Sequence, residues 1–236
     1  MNKSLIEQND DLLKEIQILY ENEEIDLSVI ESTWDGPSDW NAYMKSFPRI
    51  LFIGKEAHSS FNPSDSLKRE PSRFIKNIVK FDRLTKAILN KKEVDDFEDI
   101  KSYWQQIALI EIKKINEEKK RSSESDIKKH AWIARDLLAK QINLISPHII
   151  FCLGTIESYD IINNFSEVEK LEFEMCLGIE EYEKRKVRCW ISNNKLVIDF
   201  YHASAIIADE VFATLLEKLL RNNNVQTAYK QLMSIK

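Results

Sequence analysis

The chain has 236 residues, of which 43% are apolar, 31% charged and only nine Gly or Pro (4 Gly and 5 Pro), the make-up of an ordinary globular chain. That excludes a collagen-like, low-complexity or largely disordered protein. With 34 basic against 39 acidic residues the formal charge is -5, which argues against coating nucleic acid by bulk electrostatics.

The amino-terminal stretch begins MNKSLIEQNDDLLKEI and has no uninterrupted apolar core, so no signal peptide is expected. Leu5, Leu12, Leu13, Ile16, Leu19 and Tyr20 fall near helical spacing over 4–21, and the TWDGPSDW stretch breaks the pattern. Residues 1–45 therefore read as a helical N-terminal extension, and 46–236 as an α/β domain. The five tryptophans read as serving the core and the N-terminal packing, with Trp34 and Trp40 in the break as alternative candidates for a DNA or partner surface.

RILFIG at 49–54, preceded by Pro48, reads as a strand buried on both faces. Residues 73–90 read as a helix, DDFED as a loop or cap, and IALIEIK at 107–113 as a second strand. Between Lys113 and Lys129 seven basic residues (Lys113, Lys114, Lys119, Lys120, Arg121, Lys128, Lys129) outnumber Glu117, Glu118, Glu124 and Asp126. Such a run is more often a solvated face than a phosphate site.

From Asp126, the positions Ile127, Trp132, Ile133, Leu137, Leu138, Ile142 and Ile145 predict a long amphipathic helix that ends before Pro147. HIIFCLG at 148–154 is a third strand, and Thr155 is placed to cap a short helix through Ile162. A charged stretch then leads through RCWIS to an Asn193-Asn194 turn and a fourth strand, KLVIDFY at 195–201. The segment 204–220 reads as an amphipathic helix, and NNNVQTAYKQLMSIK as a weakly patterned tail.

Apolar strands alternating with helices imply crossover connections, hence a parallel sheet covered on both faces: a three-layer α/β/α sandwich with a central four-stranded parallel sheet. Functional groups gather at the carboxyl ends of such strands. There the sequence puts Gly54-Lys55-Glu56-Ala57-His58, Glu111, Gly154-Thr155 and His202-Ala203-Ser204. Gly54 and Gly154 belong to no GxGxxG or P-loop pattern and read as strand-ending turn glycines. His130 and His148 receive no role.

Cys152, Cys176 and Cys189 form no CxxC pair, so a disulfide framework or a four-cysteine metal site is not expected, and a reduced, cytoplasmic setting fits. No run approaches the ~18 apolar residues of a membrane span. Neither metal nor cofactor is expected.

The order RILFIGKEAH, IALIEIKK, INLISPHIIFCLG and VIDFYHASAI resembles the uracil-DNA glycosylase superfamily over about 49–206. Its motifs, GQDPY or GEAPG after a strand, a strand bearing a base-reading Asn, and a final HPSxL, correspond here to GKEAH, ALIEI and HASAI. The resemblance implies Glu56 as the water-activating acid, Glu111 in place of the pyrimidine-reading Asn, and His202 as the leaving-group histidine. The two motif prolines are Ala57 and Ala203 in this chain, and the four cysteines of the iron-sulfur branches are absent. His58 stands where the uracil-specific branch has its thymine-excluding tyrosine, which implies a roomier or chemically different base pocket.

The chemistry is also arguable from the residues. Rupture of an N-glycosidic bond passes through an oxocarbenium-like sugar that a carboxylate stabilises while deprotonating water, and an N–H donor eases departure of the anionic base. The nucleotide must be flipped into a pocket, with Phe61 and Phe74 as stacking candidates. An ionised Glu111 only accepts hydrogen bonds, so it suits the exocyclic amino group of cytosine better than O4 of uracil. Gly54 and Ser204 complete the expected substrate contacts. Lys55, Lys113, Lys114, Arg69, Arg73 and Thr155 are expected on the DNA backbone, and Ser59, Ser60, Asn62 and Lys68 belong to the same polar loop.

The expectation is a monomeric, monofunctional DNA glycosylase acting on a cytosine-derived or hypermodified base. Some proteins resembling the superfamily remove glucosylated hydroxymethylcytosine from phage genomes as a defence. Two alternatives stay open: a catalytically inactive nucleic-acid-binding relative, and a hydrolase of free nucleosides or nucleotides.

Overall fold

The computed structural model describes residues 3–23, 25, 35–56, 71–92, 99–115, 122–163, 173–175, 187–203 and 209–234. Within them the elements run α1 (Leu5–Asn22), β1 (Gly36–Pro37), α2 (Trp40–Lys45), β2 (Ile50–Glu56), α3 (Arg73–Asn90), α4 (Ile100–Trp104), β3 (Ile107–Lys113) and α5 (Glu124–Ile145). There follow β4 (Ile149–Leu153), α6 (Ile156–Asn163), β5 (Phe173–Met175), β6 (Val187–Ser192), β7 (Lys195–Phe200), α7 (Asp209–Arg221) and α8 (Asn223–Ser234).

The strands form one sheet in the order β1-β3-β2-β4-β7-β6-β5. Neighbours among β3, β2, β4 and β7 pair in parallel, while β1 pairs antiparallel with β3, β6 with β7 and β5 with β6. The α/β class expected from the sequence is what the chain adopts. The sheet as a whole is mixed and wider than four strands, because RCWIS is itself a strand. Asn193 and Asn194 have φ of 48° and 57°, and Ser192 pairs with Lys195 across them. Two consecutive positive-φ residues make a two-residue hairpin turn, and a hairpin makes β6 antiparallel to β7.

Both faces of the central strands are buried, which explains their continuous apolar runs. Ile50 and Phe52 pack with Ile75, Ile78 and Phe81 of α3 and with Leu215, Leu216 and Val225 of α7 and α8. Leu51 and Ile53 point the other way, to Ile16 and Tyr20 of α1, Ile127 and Leu138 of α5 and Tyr159 of α6. Burial of each such side chain contributes roughly 2 kcal/mol.

The N-terminal segment belongs to the same core. Ser4 and Glu7 form a capping box at the start of α1, Ile16 and Tyr20 are buried against α5, and β1 extends the sheet beside β3. Trp40 packs partly buried against that same core rather than presenting a free surface. Trp34 lies outside the described residues.

Trp132 departs from its expected place in the core and is 61% exposed. It lies five residues after Ile127, about 140° around the helix from the buried stripe, and Arg135 stacks on its ring at 4.4 Å. The C-terminal tail forms α8, with Val225, Ala228, Tyr229 and Leu232 buried at helical spacing and Asn222 Oδ1 accepting from Asn224 N at 2.9 Å as the cap. No helix among the described residues is long and apolar enough to cross a membrane.

Candidate active site

From β2 the chain crosses through α3 to β3 on one side of β2, and then from β3 through α5 to β4 on the other side. The strand order thus reverses at β2, and the crevice between the carboxyl ends of β2 and β4 is the topological switch point where open α/β sheets take their ligands. Thr155 closes the bottom of that crevice by donating its hydroxyl to Ile53 O at 2.9 Å. Gly154, with φ of +70°, turns the chain out of β4. A β-carbon on Gly154 would stand 3.6 Å from Cε of Lys55, so the Lys55 stem runs beside this turn.

β2 continues two residues beyond the expected Gly54, which puts Glu56 on the strand beside Lys113. The Glu56 carboxylate is buried and meets the amino end of α5: Ser122 N donates to its Oε1 at 2.7 Å, and the Ser122 hydroxyl donates to Oε2. Lys113 Nζ stands 3.9 Å from Oε2. A helix amino terminus and an ammonium both favour negative charge there. Two bonds leave lone pairs on each oxygen, enough to hold a water.

Glu111 lies on β3 directly opposite Gly54. Gly54 is an interior strand residue and not the turn glycine expected, and its missing side chain has a specific reason. A β-carbon there would overlap the Glu111 carboxyl, with Cδ only 2.7 Å away. Glu111 is 4% exposed, and its Oε2 has no hydrogen-bond partner among the described residues. Burial first, then the charge of Asp35, push its carboxyl up to about 8, with Glu56 adding to the rise and Lys114 opposing it. These surroundings favour the protonated form of Glu111, whereas the sequence led to the expectation of an ionised acceptor.

A buried polar network lies behind Glu111. Asp35 Oδ2 accepts from Glu111 N at 2.7 Å and from Lys114 Nζ at 2.5 Å, while Asp35 Oδ1 accepts from Gln141 Nε2 at 2.9 Å. Gln141 Nε2 also donates to Asn9 Oδ1 at 3.1 Å, and Asn9 Nδ2 to Asp35 O at 3.0 Å. Helix α1, the segment before β1, β3 and α5 are thereby joined at one buried carboxylate.

His202 follows β7, partly exposed, with its ring 5.5 Å from that of Phe74. Phe74 and Asn77 are three residues apart in the first turns of α3 and share a face. Asn77 is buried and donates to Ala203 O at 2.7 Å, which fixes the backbone beside His202. Strand β4 separates β2 from β7, so two interstrand spacings, about 10 Å, lie between the strand ends that carry Glu56 and His202.

Three expected backbone contacts have internal duties instead. Lys113 is 3% exposed, with Nζ 2.7 Å from Asp126 Oδ2 and 2.8 Å from Ser122 Oγ. Lys114 is 4% exposed and paired with Asp35, and Thr155 is 2% exposed and bonded to Ile53. The apolar run of β3 carries the two lysines inward with it, and buried carboxylates neutralise them there. Lys55 is partly exposed and Arg73 exposed at the start of α3.

His58, Phe61, Arg69 and Ser204, with Ser59, Ser60, Asn62 and Lys68, lie outside the described residues. His130 packs edge-on to Tyr20 and faces Asp126, and His148 Nδ1 accepts from Arg49 N at 2.8 Å, which are structural duties. No cluster of metal-ligating side chains occurs among the described residues. The sequence reading did not find Asn9, Asp35, Asn77, Ser122 or Gln141. Of these only Ser122 carried a local signal, in the SSESD start of α5.

Comparison with protein-family models, with curated proteins and with solved structures finds no match to this chain.

Proposed function

We propose that the chain is a DNA glycosylase with a uracil-DNA glycosylase-like three-layer fold, hydrolysing the N-glycosidic bond of a flipped-out base. The base is cytosine-derived or hypermodified, such as glucosylated hydroxymethylcytosine, rather than plain uracil, a preference that rests on the wider pocket implied by His58 in place of a tyrosine and not on the charge of Glu111. The observation that carries the reading is the placement of Glu56 on the carboxyl end of β2 and of His202 just after β7, on either side of the β2/β4 switch point.

In this reading Glu56, oriented by Ser122, takes the proton of a water whose oxygen bonds to C1′ as the C1′–N bond breaks. Its negative charge stabilises the oxocarbenium-like sugar. The bonding electrons leave with the base, and an N–H of His202 donates to the base carbonyl oxygen on which the charge collects. Phe74 stacks on the base and Glu111 reads its edge beside Gly54. Lys55 and Arg73 meet the phosphates, and the protein acts as a cytoplasmic monomer.

One observation favours a second reading, hydrolysis of a free nucleoside or nucleotide. Lys113, Lys114 and Thr155 are engaged internally, which thins the cationic surface available to a duplex. Salt separates the two, because binding through several phosphates weakens steeply with salt and binding of a nucleoside does not.

The test is to incubate the protein with duplexes containing uracil, cytosine, hydroxymethylcytosine or glucosylated hydroxymethylcytosine and to score abasic sites. Release of a cytosine-type base supports the proposal. Release from nucleosides alone moves the assignment to the second reading, and DNA binding without any release identifies a non-catalytic relative.

A further inference from the structure

We propose that Glu111 meets its substrate as a neutral carboxylic acid, kept so by Asp35 of the N-terminal segment, and that the site therefore takes a base edge with a hydrogen-bond donor beside an acceptor. The state of Glu111 is argued from its burial and from the groups around it. Its role as the reader of a base rests on the glycosylase reading.

Three buried carboxyl groups, Glu56, Asp35 and Glu111, share this end of the sheet with two buried lysines. Asp35 takes Lys114 Nζ, Gln141 Nε2 and Glu111 N. Glu56 takes both donors of Ser122 and has Lys113 beside it. Among the described residues Glu111 receives no donor at Oε2, which lies instead where a side chain on Gly54 would stand. An ionised carboxylate with an orphaned buried oxygen is costly, and a second carboxylate bonded to its own backbone N–H adds repulsion. Protonation removes the repulsion and lowers the cost of the orphaned oxygen from that of a buried charge to that of a buried neutral group. The charged groups acting on Glu111 are Asp35 and Glu56, which favour the neutral form, and Lys114, which opposes it.

A neutral acid offers an O–H donor and a C=O acceptor side by side, the pattern of an amide. It can donate to N3 and accept from the 4-amino group of a cytosine-type edge. With the two roles exchanged it can accept from N3–H and donate to O4 of a uracil-type edge. The acid thus replaces the amide of the resembled family without loss of either bond. Choice between the two edges then falls to the shape of the pocket.

The experiment is a pH titration, from 4 to 9, of the glutamate side-chain carboxyl carbons by NMR in the full-length protein, in wild type, Glu111→Gln and Asp35→Asn. One resonance is expected to titrate at least two pH units above the other glutamates, to vanish in Glu111→Gln, and to move to lower pH in Asp35→Asn. If every glutamate titrates in the ordinary carboxylate range, the inference is overturned, whatever the enzyme releases. Should Asp35→Asn not fold, the wild-type and Glu111→Gln titrations decide alone. Absence of base release from every duplex would instead remove the glycosylase reading and leave the titration result standing.

Discussion

The carboxyl group of Glu111 lies in the space that a side chain on Gly54 would fill, across the parallel pairing of β2 and β3. Because the obstructing atoms are the end of a side chain and not backbone, Gly54→Ala displaces the carboxyl and leaves the strand in place. The expected outcome is a folded protein, within about 2 kcal/mol of wild-type stability, that has lost base release as fully as Glu111→Ala. Thermal unfolding and abasic-site formation check this. Retained release would separate Glu111 from the chemistry.

Stability should fall as pH rises. Glu111 is raised from 4.5 to about 8 and Asp82, fully buried on α3, from 3.8 to about 6. Each group binds its proton more tightly folded than unfolded. The stability tied to that proton is therefore complete below the unfolded value and is lost as pH climbs to the folded one. The decline is on the order of 1 kcal/mol per pH unit for each group. Denaturant unfolding from pH 4 to 9 should show it, and Glu111→Gln should remove the portion between pH 6 and 8.

Asp35 compensates a buried ammonium, and its removal exposes that debt. Asp35→Ala leaves Lys114 Nζ without its carboxylate and takes from Gln141 Nε2 one of its two acceptors, Asn9 Oδ1 remaining, and should destabilise the fold by about 3–5 kcal/mol. Asp35→Ala combined with Lys114→Met should recover much of that loss. Equal instability of the single and double variants in urea melts would place the loss elsewhere.

Asn77 acts through the backbone next to His202. Asn77→Ala leaves the Ala203 carbonyl unpaired, which should cost about 1–3 kcal/mol of stability. If His202 needs that fixed backbone, the rate of base release should fall more than KM rises, because its bond to the departing base forms only as the bond breaks. Asn77→Asp, which cannot donate to a carbonyl when ionised, should not rescue it.

Much of this fold was legible in the sequence because its strands are short, continuous and apolar, bounded by Pro, Gly or Asn. The helix read at 73–90 and the strand read at 107–113 are α3 and β3. RCWIS escaped as a strand because five residues after a charged stretch carry no alternation long enough to read. The tail escaped as a helix because its NNN opening is polar, although Val225, Tyr229 and Leu232 already kept helical spacing. Trp132 was misjudged by hydrophobicity alone, where its angular position around α5 disagreed.

The site was legible as a set of strand ends and no further. Glu56, Glu111 and His202 could be named because each sits where an apolar run stops or is interrupted. Their partners could not, since Asp35 lies 76 positions from Glu111, and Ser122 lies 66 from Glu56. Lys113 and Lys114 looked like surface cations because charge counts do not reveal a buried carboxylate waiting on another element. The neutral state proposed for Glu111 was equally hidden, as it depends on which carboxyl the nearby donors choose.

The central claim is that Glu56 and His202 break an N-glycosidic bond in DNA, and single-turnover release from a glucosylated-hydroxymethylcytosine duplex tests it most directly. Wild type should yield abasic sites, with Glu56→Gln slower by about 10²–10⁴-fold and His202→Ala by about 10²–10³-fold, and with duplex binding retained in both. Release unaffected by either substitution, or absent from wild type on each of the four duplexes, would contradict the account.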